Sequence, residues 1–96
     1  MIQNAGTSLI TADAALNTAG TAVRVFSIHI ISGGGGGGVV NLRSGTVVTS
    51  TIWVTETGTV STGKTFNYGT QGIWFPSGCF VDVDGNTTSV AVVYSF

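Results

Sequence analysis

The sequence is poor in charge. Three Lys and Arg and four Asp and Glu make up 7% of the 96 residues, against about 25% in a typical soluble domain. The formal net charge is −1 and no basic cluster occurs, so the chain lacks the electrostatic footprint of a nucleic-acid binder. One cysteine, Cys79, excludes an intrachain disulfide. With a single histidine, His29, it also argues against a zinc site built by one chain, and no metal or cofactor is expected. No apolar run reaches the ~18 residues of a membrane-spanning helix. Met1 to Gly6 carries neither a basic start nor a long apolar stretch, so no export signal and no membrane partner are expected. The expected site of synthesis is the cytosol, which includes a protein that later leaves inside a particle.

Strong helix formers other than Ala are also scarce: Leu occurs three times, Glu and Lys once each. In their place stand 13 Val, 7 Ile and 15 Thr. Branching at Cβ costs χ1 freedom against a helical turn but packs well on a pleated sheet. This composition predicts an all-β chain. Its length suits one domain with one modest core. Residues 1–20, rich in Ala, Thr and Asn, read as an extended N-terminal arm with a short strand near 7–11 and room for one helical turn at 12–16. Arms of this kind often exchange between subunits. Residues 21–96 read as a single β-domain.

The strongest strand is 21–31. Alternation puts Ala22, Arg24, Phe26, Ile28 and Ile30 on one face and Val23, Val25, Ser27, His29 and Ile31 on the other. Both faces are largely apolar, which predicts burial on both sides or an interface. The same holds for 88–96, where Val90, Val92, Tyr94 and Phe96 alternate with Ala91, Val93 and Ser95. Between them, Gly33 to Gly38 reads as a flexible hairpin connection into Val39–Arg43. A strand is expected over Thr46–Glu56, with Val48, Ile52 and Val54 facing one way and Val47 and Trp53 the other. A polar strand follows at 59–66, then Ile73–Phe75, then Cys79–Asp84 and a hairpin turn at Asp84–Thr87. Seven to eight short antiparallel strands with a turn every 8–12 residues predict a compact β-sandwich or jelly-roll-like barrel.

Candidate chemistry is thin. The glycine run matches a phosphate loop only in composition, for a strand follows it where a helix is needed and no Lys is near. Asp82 to Asn86 has its Gly fourth rather than sixth for a calcium loop, and Val93 stands where the bidentate Glu belongs. His29 has Ser27 on its face but no orienting acid, and four carboxylates offer no acid–base pair. The chain is read as non-enzymatic. Cys79 reads as a small buried hydrophobe. The informative excess is aromatic: Trp53, Tyr68, Trp74 and Phe80 exceed what the polar faces need. Aromatics concentrate at interfaces, and with a mean hydropathy of +0.46 and little charge to keep copies apart, the chain is expected to associate. The residues expected at the interface are Trp53, Trp74, Phe80 and the arm around Leu9 and Ile10. The same aromatics would also suit a carbohydrate-binding module.

Several segments together resemble small virion structural proteins of tailed phages. They are Arg24-Val25-Phe26-Ser27-Ile28-His29-Ile30-Ile31-Ser32-Gly33, Val39-Val40-Asn41-Leu42-Arg43-Ser44-Gly45 and Gly63-Lys64-Thr65-Phe66, then Gly72-Ile73-Trp74-Phe75-Pro76-Ser77-Gly78-Cys79-Phe80-Val81-Asp82-Val83 and Ser89-Val90-Ala91-Val92-Val93-Tyr94. The likeness covers about residues 21–96 and lies in style and strand order, not in a catalytic signature. It implies a capsid decoration (cement) protein, a compact β-domain, often trimeric, on the virion surface. Its partner would be the major capsid protein of a tailed phage. A tail, fibre or head–tail connector subunit is the neighbouring alternative. The bare Gly33–Gly38 run departs from a tight hairpin.

Overall fold

The computed structural model describes residues 6–16 and 20–96. Among them there are nine strands and no helix: β1 (Gly6–Ile10), β2 (Ala14–Ala15), β3 (Val23–Ser32), β4 (Val39–Ser44), β5 (Thr51–Thr57), β6 (Gly63–Asn67), β7 (Ile73–Phe75), β8 (Cys79–Val83) and β9 (Thr87–Ser95). The all-β expectation holds, with nine strands in place of seven or eight.

The strands form two antiparallel sheets. One runs β1-β9-β3-β6, with β7 beside the first part of β3. The other runs β2-β8-β4-β5. With β7 set aside, the pairs β1–β9, β2–β8, β3–β6 and β4–β5 nest one inside the next. This is one long hairpin rolled over. The contacts β9–β3 and β8–β4 complete the two sheets, and the resulting order is that of a jelly roll.

The core lies between the sheets. Val23, Val25, Ile28 and Ile30 of β3 and Val90 and Val92 of β9 meet Val40 and Leu42 of β4 and Cys79 and Val81 of β8. Ile10 and Phe75 close its ends. Each such side chain, fully buried, contributes roughly 1.5–3 kcal/mol, so the β-branched composition is what holds the two layers together.

Several sequence expectations are corrected. Strict alternation fails in β3. The register with β9 shifts between Val25 and Ser27, and the extra residue, Phe26, is itself buried. This β-bulge changes the parity of the strand. Val23 and Val25 before it and Ile28 and Ile30 after it therefore face the same core, while Ser27, His29 and Ile31 turn outward. Residues 6–16 of the expected arm are strands of the sandwich, β1 on one sheet and β2 on the other; residues 1–5 and 17–19 lie outside the described residues. No helical turn forms at 12–16. The strand expected from Thr46 begins at Thr51, because residues 45–50 turn, with the Ser50 amide donating to Val47 O at 3.0 Å.

The glycine run is not a hairpin. It carries the chain from β3 in one sheet to β4 in the other and is packed on its way. Gly58 N donates to Gly38 O at 2.8 Å, and Gly38 N donates to Ser32 Oγ at 2.8 Å. A Cβ at Gly37 would stand 2.3 Å from Gly58 O, and one at Gly38 2.3 Å from Thr87 Oγ1. Two of the six glycines are thus required by close approach. The turn at Asp84–Thr87 also crosses between sheets, from β8 to β9, instead of closing a hairpin.

Candidate interaction surface

The two sheets present very different outer faces. On the four-stranded sheet, Asp82 Oδ2 accepts from Arg43 Nε at 3.1 Å, Arg43 Nη2 at 2.8 Å and Asn41 Nδ2 at 3.4 Å. Thr55 Oγ1 donates to Asn41 Oδ1 at 2.7 Å, and Arg43 Nη1 donates to Ser50 O at 2.9 Å. This is a self-satisfied ionic and polar network open to water. Phe80, opposite Arg43 in the register, is half-buried beside it.

The outer face of the five-stranded sheet carries no such network. None of its strands, β1, β9, β3, β6 or β7, contains Asp or Glu. The registers lay its outward residues in rows across the strands. One row is Leu9, Ala91, His29 and Thr65; the next is Thr7, Val93, Ser27 and Asn67. A third, toward β7, is Ser95, Arg24 and Trp74. Ile31 stands beyond the first row. Leu9 is 66% exposed, Trp74 48% and Ile31 40%, so large apolar side chains meet water at both ends of the face. Three of its polar side chains have partners: His29 Nδ1 and Thr65 Oγ1 lie 2.6 Å apart. The Arg24 guanidinium lies over the Trp74 ring, 4.8 Å from its centroid, and Nη1 donates to Gln71 O at 2.8 Å.

The five residues expected at an interface therefore do not form one surface. Leu9 and Trp74 share the outer face of the five-stranded sheet. Ile10 points inward and belongs to the core, so in this fold it offers nothing to a partner. Phe80 lies on the opposite outer face. Trp53 sits at the irregularity of edge strand β5, where the register with β4 shifts, and its ring stacks on the buried Phe75. Trp53 is nonetheless half exposed, and Val47, Val48 and Ile52 are exposed on the same β4–β5 hairpin. Ser27 and His29 were missed as surface residues because strict alternation does not register the bulge, whereas Ala91 and Val93 alternate with the buried Val90 and Val92 as expected and were missed because both faces of that strand read as apolar. The signal was present: Val23-x-Val25 and Ile28-x-Ile30 are each alternating pairs, but three positions separate Val25 from Ile28 where alternation needs two.

Cys79, Tyr68 and Asp84 are each engaged in the packing or bonding of the fold. Burial pushes the Cys79 thiol up to about 12, so the nucleophilic thiolate is scarce near neutrality. Tyr68 donates its phenolic O–H to Glu56 Oε2 at 2.9 Å, tying the loop after β6 to edge strand β5. Burial first, and the Glu56 bond after it, push the phenol well above its usual range. The Asp84 carboxylate Oδ1 accepts from Val39 N at 3.0 Å, Asn86 N at 3.1 Å and Thr87 Oγ1 at 3.0 Å. It fastens the crossover turn. Comparisons with protein-family models, with curated proteins and with solved structures found no match.

Proposed function

We propose that the chain is a non-enzymatic structural protein of a tailed-phage virion, which decorates the outer capsid lattice as an oligomer and stabilises it against internal pressure. The observation that supports this most is the division of the surface. One broad sheet face lacks carboxylates and exposes large apolar side chains at both ends, and further exposed apolar side chains, Val47, Val48, Ile52 and Trp53, stand on the β4–β5 hairpin. A protein with two such surfaces is equipped to join more than one neighbour at once. Apolar burial at about 25 cal/mol per Å², less the cost of association, supplies the holding force. The resemblance of residues 21–96 to small virion proteins points the same way. The jelly roll is compatible with this role but does not select it, since one fold serves many functions.

The test is a particle-stability experiment. Virions assembled without the chain should lose their DNA at a lower temperature than intact virions, and added purified protein should restore the difference. Equal heat stability with and without the chain would remove the cementing role. A tail, fibre or connector subunit would leave the capsid's heat release unchanged but block infection at a later step.

A further inference from the structure

We propose that the outer face of the five-stranded sheet is the surface through which copies of this chain associate, with the row Leu9, Ala91, His29 and Thr65 across its middle. This deepens the assembly reading above and rests on it for the expectation that copies associate.

Charge is the first argument. A surface that packs against its own copy sets like against like, so fixed charges near its centre would be buried unpaired, at heavy cost. The rows at the centre of this face, from Thr7 and Leu9 across to Asn67 and Thr65, hold no Asp, Glu, Lys or Arg. Arg24 stands in the row toward β7, and its guanidinium is already engaged with Trp74 and Gln71. Lys64 of β6 pairs with the inward Ile30 and lies over the Phe66 ring. The opposite outer face carries fixed charge, the Arg43–Asp82 pair, and covering it would strip its remaining water.

Area is the second argument. The strands β1, β9, β3, β6 and β7 have five, nine, ten, five and three residues. At about 3.3 Å per residue and about 4.8 Å between strands, the face measures roughly 500 Å² in projection. A stable interface takes about 600–1,000 Å² of accessible surface from each partner, so this one face, with its side-chain relief, matches the smaller end of what a second copy needs. Texture is the third. Ala91, Ser27, Thr7, Thr65 and Val93 are short or branched, so around His29, whose ring is held to Thr65, most of the middle of the sheet is low between Leu9 on one side and Trp74 and Ile31 on the others.

The experiment is sedimentation equilibrium on the full chain and three variants. Wild-type protein is expected to be an oligomer. Ala91→Arg and Val93→Arg, which point outward from β9, should raise the dissociation constant at least ~100-fold by burying unpaired charge. Thr55→Arg, on the other sheet's outer face, should leave association unchanged. Cooperative thermal melting by circular dichroism verifies that each variant folds. A second measurement needs no substitution. His29 is the sole histidine, so its rate of modification by diethyl pyrocarbonate reports on this face; the rate should fall as wild-type concentration rises through the association range. A monomeric wild type, an oligomer intact in both β9 variants, or a His29 rate that ignores association would each overturn the proposal. An oligomer that assembles through this face yet adds nothing to virion heat stability would instead remove the virion reading and leave this one standing.

Discussion

Trp53 stacks on Phe75, with ring centroids 5.4 Å apart and planes inclined by 27°, and so joins edge strand β5 of one sheet to the fully buried ring of β7 in the other. The two tryptophans consequently have different duties. Trp53→Ala should destabilise the monomer by about 1–3 kcal/mol, the sum of a stacked pair and half a buried indole. Trp74 is equally exposed, at 48%, and has a cation–π contact with Arg24 in place of the ring stack, so Trp74→Ala should cost the fold a similar amount, about 1–3 kcal/mol, but should also weaken association, which Trp53→Ala should not. Urea unfolding and sedimentation on the two variants separate these effects. Weakened association in Trp53→Ala, or unchanged association in Trp74→Ala, would contradict the assignment.

The glycine crossover makes a graded expectation. A methyl at Gly37 meets the Gly58 carbonyl oxygen, which is backbone and cannot swing aside. Gly34 has only Ser61 Oγ within reach, at 3.7 Å from an added Cβ. Gly37→Ala should therefore cost on the order of 2 kcal/mol or more through overpacking. Gly34→Ala should lie within about 1 kcal/mol of wild type, with the lost freedom of the unfolded chain favouring it. A run that was merely a flexible linker would tolerate both alike.

Much of the fold was legible in the residues. Val, Ile and Thr in place of Leu, Glu and Lys called for sheets, and turn residues at short intervals called for a sandwich or jelly roll. Less legible was which way the residues of β3 face. Alternation is a local rule, and Phe26 breaks it by pairing with nothing on β9, which shifts every side chain after it. Ile10 and Leu9 illustrate the same limit. They are adjacent and similarly apolar, but β1 pairing with β9 sends one into the core and the other to water. The glycine run departs from a tight hairpin by its length, but that it crosses between sheets could not be read from it, because that depends on β4 pairing with β5 and β8 far along the chain. Of the expected interface residues, only Leu9 and Trp74 came together, since sharing a sheet face requires a register that no single segment encodes.

The crossover at Asp84 gives a dependence on pH. Burial raises its carboxyl, but the bonds from Val39 N, the Thr87 hydroxyl and the Asn86 and Thr87 amides outweigh burial and hold it below the ordinary carboxylate value. A depressed folded pKa adds stability that is present above the unfolded value, near 3.9, and is lost as pH falls through the folded one. Unfolding free energy should thus decline below about pH 4, and decline less steeply in Asp84→Asn. Parallel pH profiles for the two proteins would show that Asp84 does not carry this term.

Cys79 offers an inexpensive check on the core. Its thiol is buried and pushed up to about 12, so iodoacetamide at mildly alkaline pH should leave the native chain unlabelled and modify it fully in denaturant. Rapid labelling of the native protein would mean that β8 does not pack as described.

The central claim, that this chain coats a virion, is tested most directly by counting it. Quantitative mass spectrometry of purified phage particles measures its copies against those of the major capsid protein. A fixed simple ratio to the capsid lattice is expected. A handful of copies per particle, or none, would contradict it.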